Sequence, residues 1–124
     1  MYVYSNLNPK GLKIGDCVVR AISEALGQTW ERTYIDLCLE GFEYADMPNS
    51  NPIWHSYLYS KGFKRYLIPD TCPNCYTISR FAEEHPEGVY IVATGTHAVC
   101  VKNGNILDTW DCSDLTTTYY FIKE

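Results

Sequence analysis

The sequence predicts an α+β fold, on three observations. Apolar residues recur at helical spacing through the first two thirds of the chain, in segments that open on capping residues and close at glycines. From Gly88 onward the character changes to β-branched and aromatic runs bounded by Gly, Asn and Ser, the pattern of an antiparallel meander. Helices first and strands last imply N-terminal helices packed on one face of a C-terminal antiparallel sheet. At 124 residues and 46% apolar content, one core can remove about two thirds of the unfolded surface from water. With no repeat, low-complexity tract or composition break, residues 1–124 read as one domain.

The first fifteen residues read as loop, punctuated by Asn6, Asn8, Pro9, Gly11 and Gly15. A first helix begins behind an Asp16 N-cap, carries Val18, Val19, Ile22, Ala25 and Leu26 on its apolar face, and stops at Gly27. A second starts at Thr29, buries Trp30, Tyr34, Leu37 and Cys38, and ends at Gly41. Asn51 and Pro52 give an N-cap and an N1 proline for a third, with Ile53, Trp54, Tyr57 and Leu58 inward and Gly62 as its stop. Residues 63–68 read as a strand, and residues 69–76 as a turn-rich connection. Thr77 caps a short helix through Ile78, Phe81 and Ala82 that ends by Pro86. The strands are then 89–94, 97–102, 105–110 and 118–122.

Charge and composition exclude several classes of function. Fifteen acidic against ten basic residues leave a formal charge of −5, with no basic stripe to attract a phosphate backbone, so nucleic acid is not an expected partner. No apolar run approaches the roughly 18 residues of a membrane span, and the residues after Met1 lack the layout of an export signal, so no membrane association and a cytoplasmic location are expected. In that compartment the six cysteines are expected to remain free thiols. Cys72 and Cys75 form a single CxxC, half of a zinc site to which His85 could add a ligand, but no second half is evident.

The chemistry-bearing residues are Cys17, His97 and Asp108. A thiol is mostly protonated at neutral pH, and a helix N-terminus and a neighbouring imidazolium both favour the thiolate. Cys17 takes the first helical position behind Asp16, whose carboxylate as a cap turns to the amides of residues 18 and 19. Asn103-Gly104 is the pair preferred by a two-residue type I′ turn, which sets Lys102 opposite Asn105, Val99 opposite Asp108 and His97 opposite Trp110. His97 and Asp108 then share a sheet face as diagonal neighbours about 7 Å apart at the backbone, close enough for the acid to orient the ring. A three-residue turn would instead bring Asp111 to that face. Trp110 is placed to shield the imidazole–carboxylate pair. Cys112, if still in the strand, shares the face of His97, and Cys100 points away. Singly, each residue is also what an ordinary core contains: a buried thiol, a strand histidine, a turn carboxylate.

Three segments carry a resemblance: Asp16-Cys17-Val18-Val19-Arg20-Ala21-Ile22-Ser23, Gly95-Thr96-His97-Ala98-Val99, and residues 105–111 from Asn105 to Asp111. With Thr71 to Thr77 and His85-Pro86, they resemble a small family of bacterial and phage proteins. Those in turn resemble the C39-type branch of papain-like cysteine peptidases. A fainter likeness joins Asp16-Cys17 and Arg20-Ala21 to the nucleophile helix of ovarian-tumour deubiquitinases. The resemblance implies a papain-like fold with Cys17 as nucleophile, His97 as base and Asp108 as orienting acid. The expected activity is hydrolysis of a peptide, isopeptide or other amide, with a peptide or protein as substrate and no cofactor required.

One departure is plain. Papain-like enzymes carry a glutamine six residues before the cysteine as oxyanion donor, whereas this chain has Gly11 there and its only glutamine at Gln28. Asn6, Asn8, Lys10 and Lys13 are the candidate replacements, Lys13 being nearest to Cys17. The same departure keeps open a non-catalytic module that binds a host protein through the cleft.

Overall fold

The computed structural model describes residues 1–123. Four helices, α1 (Cys17–Leu26), α2 (Trp30–Tyr44), α3 (Asn51–Ser60) and α4 (Ile78–Glu84), accompany six strands: β1 (Tyr2–Tyr4), β2 (Phe63–Leu67), β3 (Val89–Ala93), β4 (Ala98–Lys102), β5 (Asn105–Asp108) and β6 (Tyr119–Lys123). The strands form one sheet in the order β1-β5-β4-β3-β6-β2. Its ladders are antiparallel except that β1 runs parallel to β5. The fold is therefore α+β with a mixed sheet.

Two expectations about the sheet are corrected. The segment before Gly15 is not all loop: Tyr2 aligns with Ile106 and Tyr4 with Asp108, and Ser5 N–H donates to the Asp108 carbonyl at 2.9 Å. Three residues are too few to display an alternation, so the strand exists because an open edge of β5 accepts it. The sheet is also not a simple meander, because β6 crosses to the far side of β3 and pairs there, Ile91 opposite Phe121.

The helices do not all lie on one face. Ile91, Ala93, Ala98 and Phe121 pack with Val18, Ile22, Leu37, Trp54 and Leu58 of α1–α3, while Val92, Val99, Val101 and Ile106 pack with Ile78, Phe81 and Ala82 of α4. The physical reason lies in β3 and β4: Ile91, Val92 and Ala93, like Ala98 to Val101, are all buried. Strands apolar on both faces need cover on both.

The helix boundaries shift for local reasons. α2 runs through Gly41 to an Ala45 cap at φ 56. Gly41 is instead a close-approach site, since a Cβ there would meet the Asp46 carbonyl oxygen at 2.5 Å. In α3 the cap position is Ser50, with Asn51 inside the first turn, its Oδ1 accepting from Trp54 Nε1 at 2.9 Å. The β4–β5 turn is the expected one: Asn103 and Gly104 have φ of 50 and 77, and Lys102 pairs with Asn105. No helix among the described residues is long and apolar enough to cross a membrane.

Candidate functional site

Cys17 is the first residue of α1, His97 stands immediately before β4 and Asp108 ends β5. α1 packs across β4, so a helix start, a strand start and a strand end converge at one corner of the sheet. His97 Nε2 lies 2.6 Å from Asp108 Oδ2, which leaves Nδ1 as the ring nitrogen available to the thiol. Cys17 and His97 together line a cavity of about 290 Å³ with Gly15, Asn49, Asn51 and Trp54. They also border a second of about 380 Å³ with Lys13, Arg20 and Trp110. The sulfur–imidazole pair thus sits where two cavities meet.

The electrostatics favour charge separation across the pair. Burial pushes the Cys17 thiol up, but hydrogen bonds from His97 and the Ala98 backbone, and the charges of His97 and Arg20, hold it below its ordinary value. Burial opposes the imidazolium of His97, yet bonds to Asp108, Cys112 and Cys17 raise it to about 11. Asp108 is lowered to about 2: burial raises it, and His97, Arg20, Cys112 and the Thr109 amide outweigh that. The direction at each group is toward thiolate, imidazolium and carboxylate.

Arg20 completes the arrangement and was not singled out as a site residue in the sequence. Its Nη1 donates to Asp108 Oδ1 at 2.7 Å and its Nε to Asp16 Oδ1 at 2.8 Å. With Thr109 N–H also on Asp108 Oδ1 at 2.7 Å, the carboxylate is held on both oxygens. Charges alternate along the line Asp16, Arg20, Asp108, His97, Cys17, each next to an opposite sign, which is how a buried set becomes tolerable. The signals in the sequence are the i,i+4 spacing of Asp16 and Arg20 and the place of Arg20 in the segment that carries the resemblance.

Asp16 therefore does not cap α1 with its side chain. Its other oxygen accepts from Trp30 Nε1 at 3.0 Å and Asn8 Nδ2 at 3.3 Å, and a charge-assisted bond to Arg20 displaces the weaker one to a helix amide. That partnership removes Asn8 from the oxyanion candidates. Asn8 is buried, its amide faces Asp16, and its Oδ1 holds the amides of Lys10 at 3.0 Å and Leu12 at 3.3 Å. Asn6 is likewise tied to the loop through the Leu12 carbonyl at 3.2 Å. Lys13 lines the second cavity, with Nζ 5.9 Å from the Tyr4 ring centre.

Trp110 lies with its ring 5.0 Å from that of His97 and is 46% exposed, covering one side of the imidazole and facing solvent on the other. Asp111 is exposed and bonded to Ser113, away from the pair. Asn49 and Asn51 border the first cavity beside Cys17. The expectation of six free thiols is corrected: Cys72 and Cys75 form a disulfide. Asp70 Oδ1 accepts from Cys72 N–H at 2.9 Å and Thr71 Oγ1 donates to the Asn74 carbonyl at 2.6 Å, folding the turn until the sulfurs meet. In that state neither offers a thiolate to zinc, and His85 Nδ1 faces the Phe81 carbonyl at 2.7 Å. Set against protein-family models, curated proteins and solved structures, the chain finds no match in any of the three.

Proposed function

We propose that this protein is a papain-like cysteine hydrolase that cleaves a peptide or related amide bond by acyl transfer. The observation that carries the reading is His97 Nε2 bound to Asp108 at 2.6 Å, while the same ring borders a cavity with the thiol at a helix start. The Cys17 thiolate attacks the carbonyl carbon, His97 gives its proton to the leaving amine as the C–N bond breaks, and the acyl group stays on sulfur. A water deprotonated by His97 then attacks the thioester and restores the thiol. Asp108 holds the ring in one tautomer and balances its charge. In place of the missing glutamine, the Cys17 backbone N–H at the open end of α1 and the Lys13 ammonium are the donors for the oxyanion. The likeness of the Cys17, His97 and Asp108 segments to C39-type peptidases supports the same assignment.

The test is labelling by an electrophilic thiol probe across pH. The parent labels fast at neutral pH on Cys17 alone, Cys17→Ala does not label there, and His97→Ala slows the reaction by at least about tenfold, the loss expected when an imidazolium partner is removed. Labelling of Cys17 that ignores both pH and His97 rejects the hydrolase. A second reading, a protein-binding module, is favoured by one observation: α2, outside the residues that line the cleft, exposes Ile35, Leu39 and Phe42, the last 87% accessible. It requires an inert Cys17 thiol, so the same experiment separates the two.

A further inference from the structure

A third protein group faces the His97–Asp108 pair. Cys112, from the turn after β5, is 1% exposed, and its sulfur, a His97 ring nitrogen and an Asp108 oxygen lie within 4.8 Å of one another. None of the roles proposed for His97 and Asp108 uses this thiol. The geometry points to a binding site for a thiophilic divalent cation, zinc above all, formed by His97, Asp108 and Cys112, which takes the imidazole out of acid–base use.

The donor set is one that zinc accepts: one thiolate, one imidazole nitrogen and one carboxylate oxygen, with a fourth position left for water. Tetrahedral bonds of roughly 2.0–2.3 Å put neighbouring donors roughly 3.3–3.8 Å apart. The three donor atoms already lie within 4.8 Å of one another, and the 2.6 Å His97–Asp108 contact must open by about 1 Å. The Arg20 guanidinium stays on Asp108 Oδ1, leaving Oδ2 for the ion. Binding exchanges protons for metal: the imidazolium loses its Nε2 proton and Cys112 its thiol proton, while Asp108 is already ionised. After those two ligands have given up their protons, Asp16, Asp108 and Cys112 stand anionic against Arg20, and a divalent cation neutralises the surplus. Once metallated at Nε2, the ring keeps its Nδ1 proton toward Cys17 but holds it too tightly near neutral pH to pass it to a leaving amine, so the acid–base step stops. That regulatory consequence rests on the hydrolase reading; the site itself does not.

The experiment titrates the full chain, its Cys72–Cys75 disulfide intact, with Co²⁺ and follows the near-ultraviolet thiolate-to-cobalt band, then repeats the titration with Zn²⁺ by equilibrium dialysis. One ion per chain, a band kept in Cys17→Ala and lost in both Cys112→Ala and Cys112→Ser, and release of about two protons per ion in weak buffer near neutral pH support the site. Saturating Zn²⁺ also removes from the parent, and not from Cys112→Ser, the step in the pH profile of Cys17 alkylation that follows loss of the imidazolium proton. Absence of a band, its survival in the Cys112 variants, or its loss in Cys17→Ala overturns the proposal. Far-ultraviolet circular dichroism confirms that the serine variant, nearly equal in volume, is folded. Alkylation of the metal-free protein reports on the hydrolase separately, so the two readings fail independently.

Discussion

Removing the Arg20 guanidinium leaves the Asp16 and Asp108 carboxylates buried without their shared counter-charge. Arg20→Ala is therefore expected to lower stability by about 3–5 kcal/mol, the cost of stranding a buried ion, read from the urea midpoint at unchanged m-value. Arg20→Lys keeps the charge but cannot bridge two carboxylates from one fork, so it recovers only part of the loss. Asp108→Asn acts on the opposite side of the network. The bond that raises His97 weakens, the imidazolium deprotonates at lower pH, and the alkaline limb of Cys17 alkylation moves to lower pH; a limb that stays put removes Asp108 from the site. Sequence alone could bring Asp108 to His97, because the parity of a hairpin with an Asn-Gly turn is set by two residues. It could not bring Arg20 to Asp108, a contact 88 positions apart that depends on how α1 crosses the sheet.

At the level of elements, Gly41 ties α2 to the loop that borders the cleft. A methyl there meets the Asp46 carbonyl oxygen at 2.5 Å and Pro48 N at 3.3 Å, both backbone. Gly41→Ala is expected to destabilise by about 1–3 kcal/mol through overpacking and to displace Asn49. Thermal unfolding and Cys17 alkylation would register the two effects, and an unchanged melting temperature would show that the loop yields without cost. The glycine was legible as punctuation but misread as a helix stop, since both uses look alike in a sequence and only tertiary approach distinguishes them. Periodicity fared well in α1 and α3, ten residues each. It failed for β1, whose three residues hold no period and which exists only because β5 offers an unpaired edge.

Across the whole molecule, the two-sided core was legible only in hindsight of its strands: Ile91-Val92-Ala93 is a continuous apolar run, and α4 is the cover that such a run demands. The same architecture buries titratable groups whose responses set the pH range of stability. His55, its Nε2 2.8 Å from the Tyr119 hydroxyl, is lowered from 6.5 to about 4 by burial and the nearby Arg65. The unfolded chain therefore takes up that proton first, and stability falls as pH drops from 6.5 toward 4. Asp108, lowered from 3.8 to about 2, adds a further loss as pH falls through that lower interval. His97 has the opposite sign: its contribution is full below 6.5 and disappears as pH rises toward 11. Urea denaturation between pH 3 and 10 should trace a plateau near neutrality with decline on both sides, and the acid limb between 6.5 and 4 should flatten in His55→Phe. Arg20 joins a helix from the start of the chain to a strand near its end, and this has a kinetic corollary. A nascent or half-collapsed polypeptide carries the sulfur but not its activating environment, so nucleophilicity emerges only on arrival at the native state. Pulsed alkylation during refolding would then serve as a clock for the final docking of β5, keeping self-damage and stray acylation out of the assembly process.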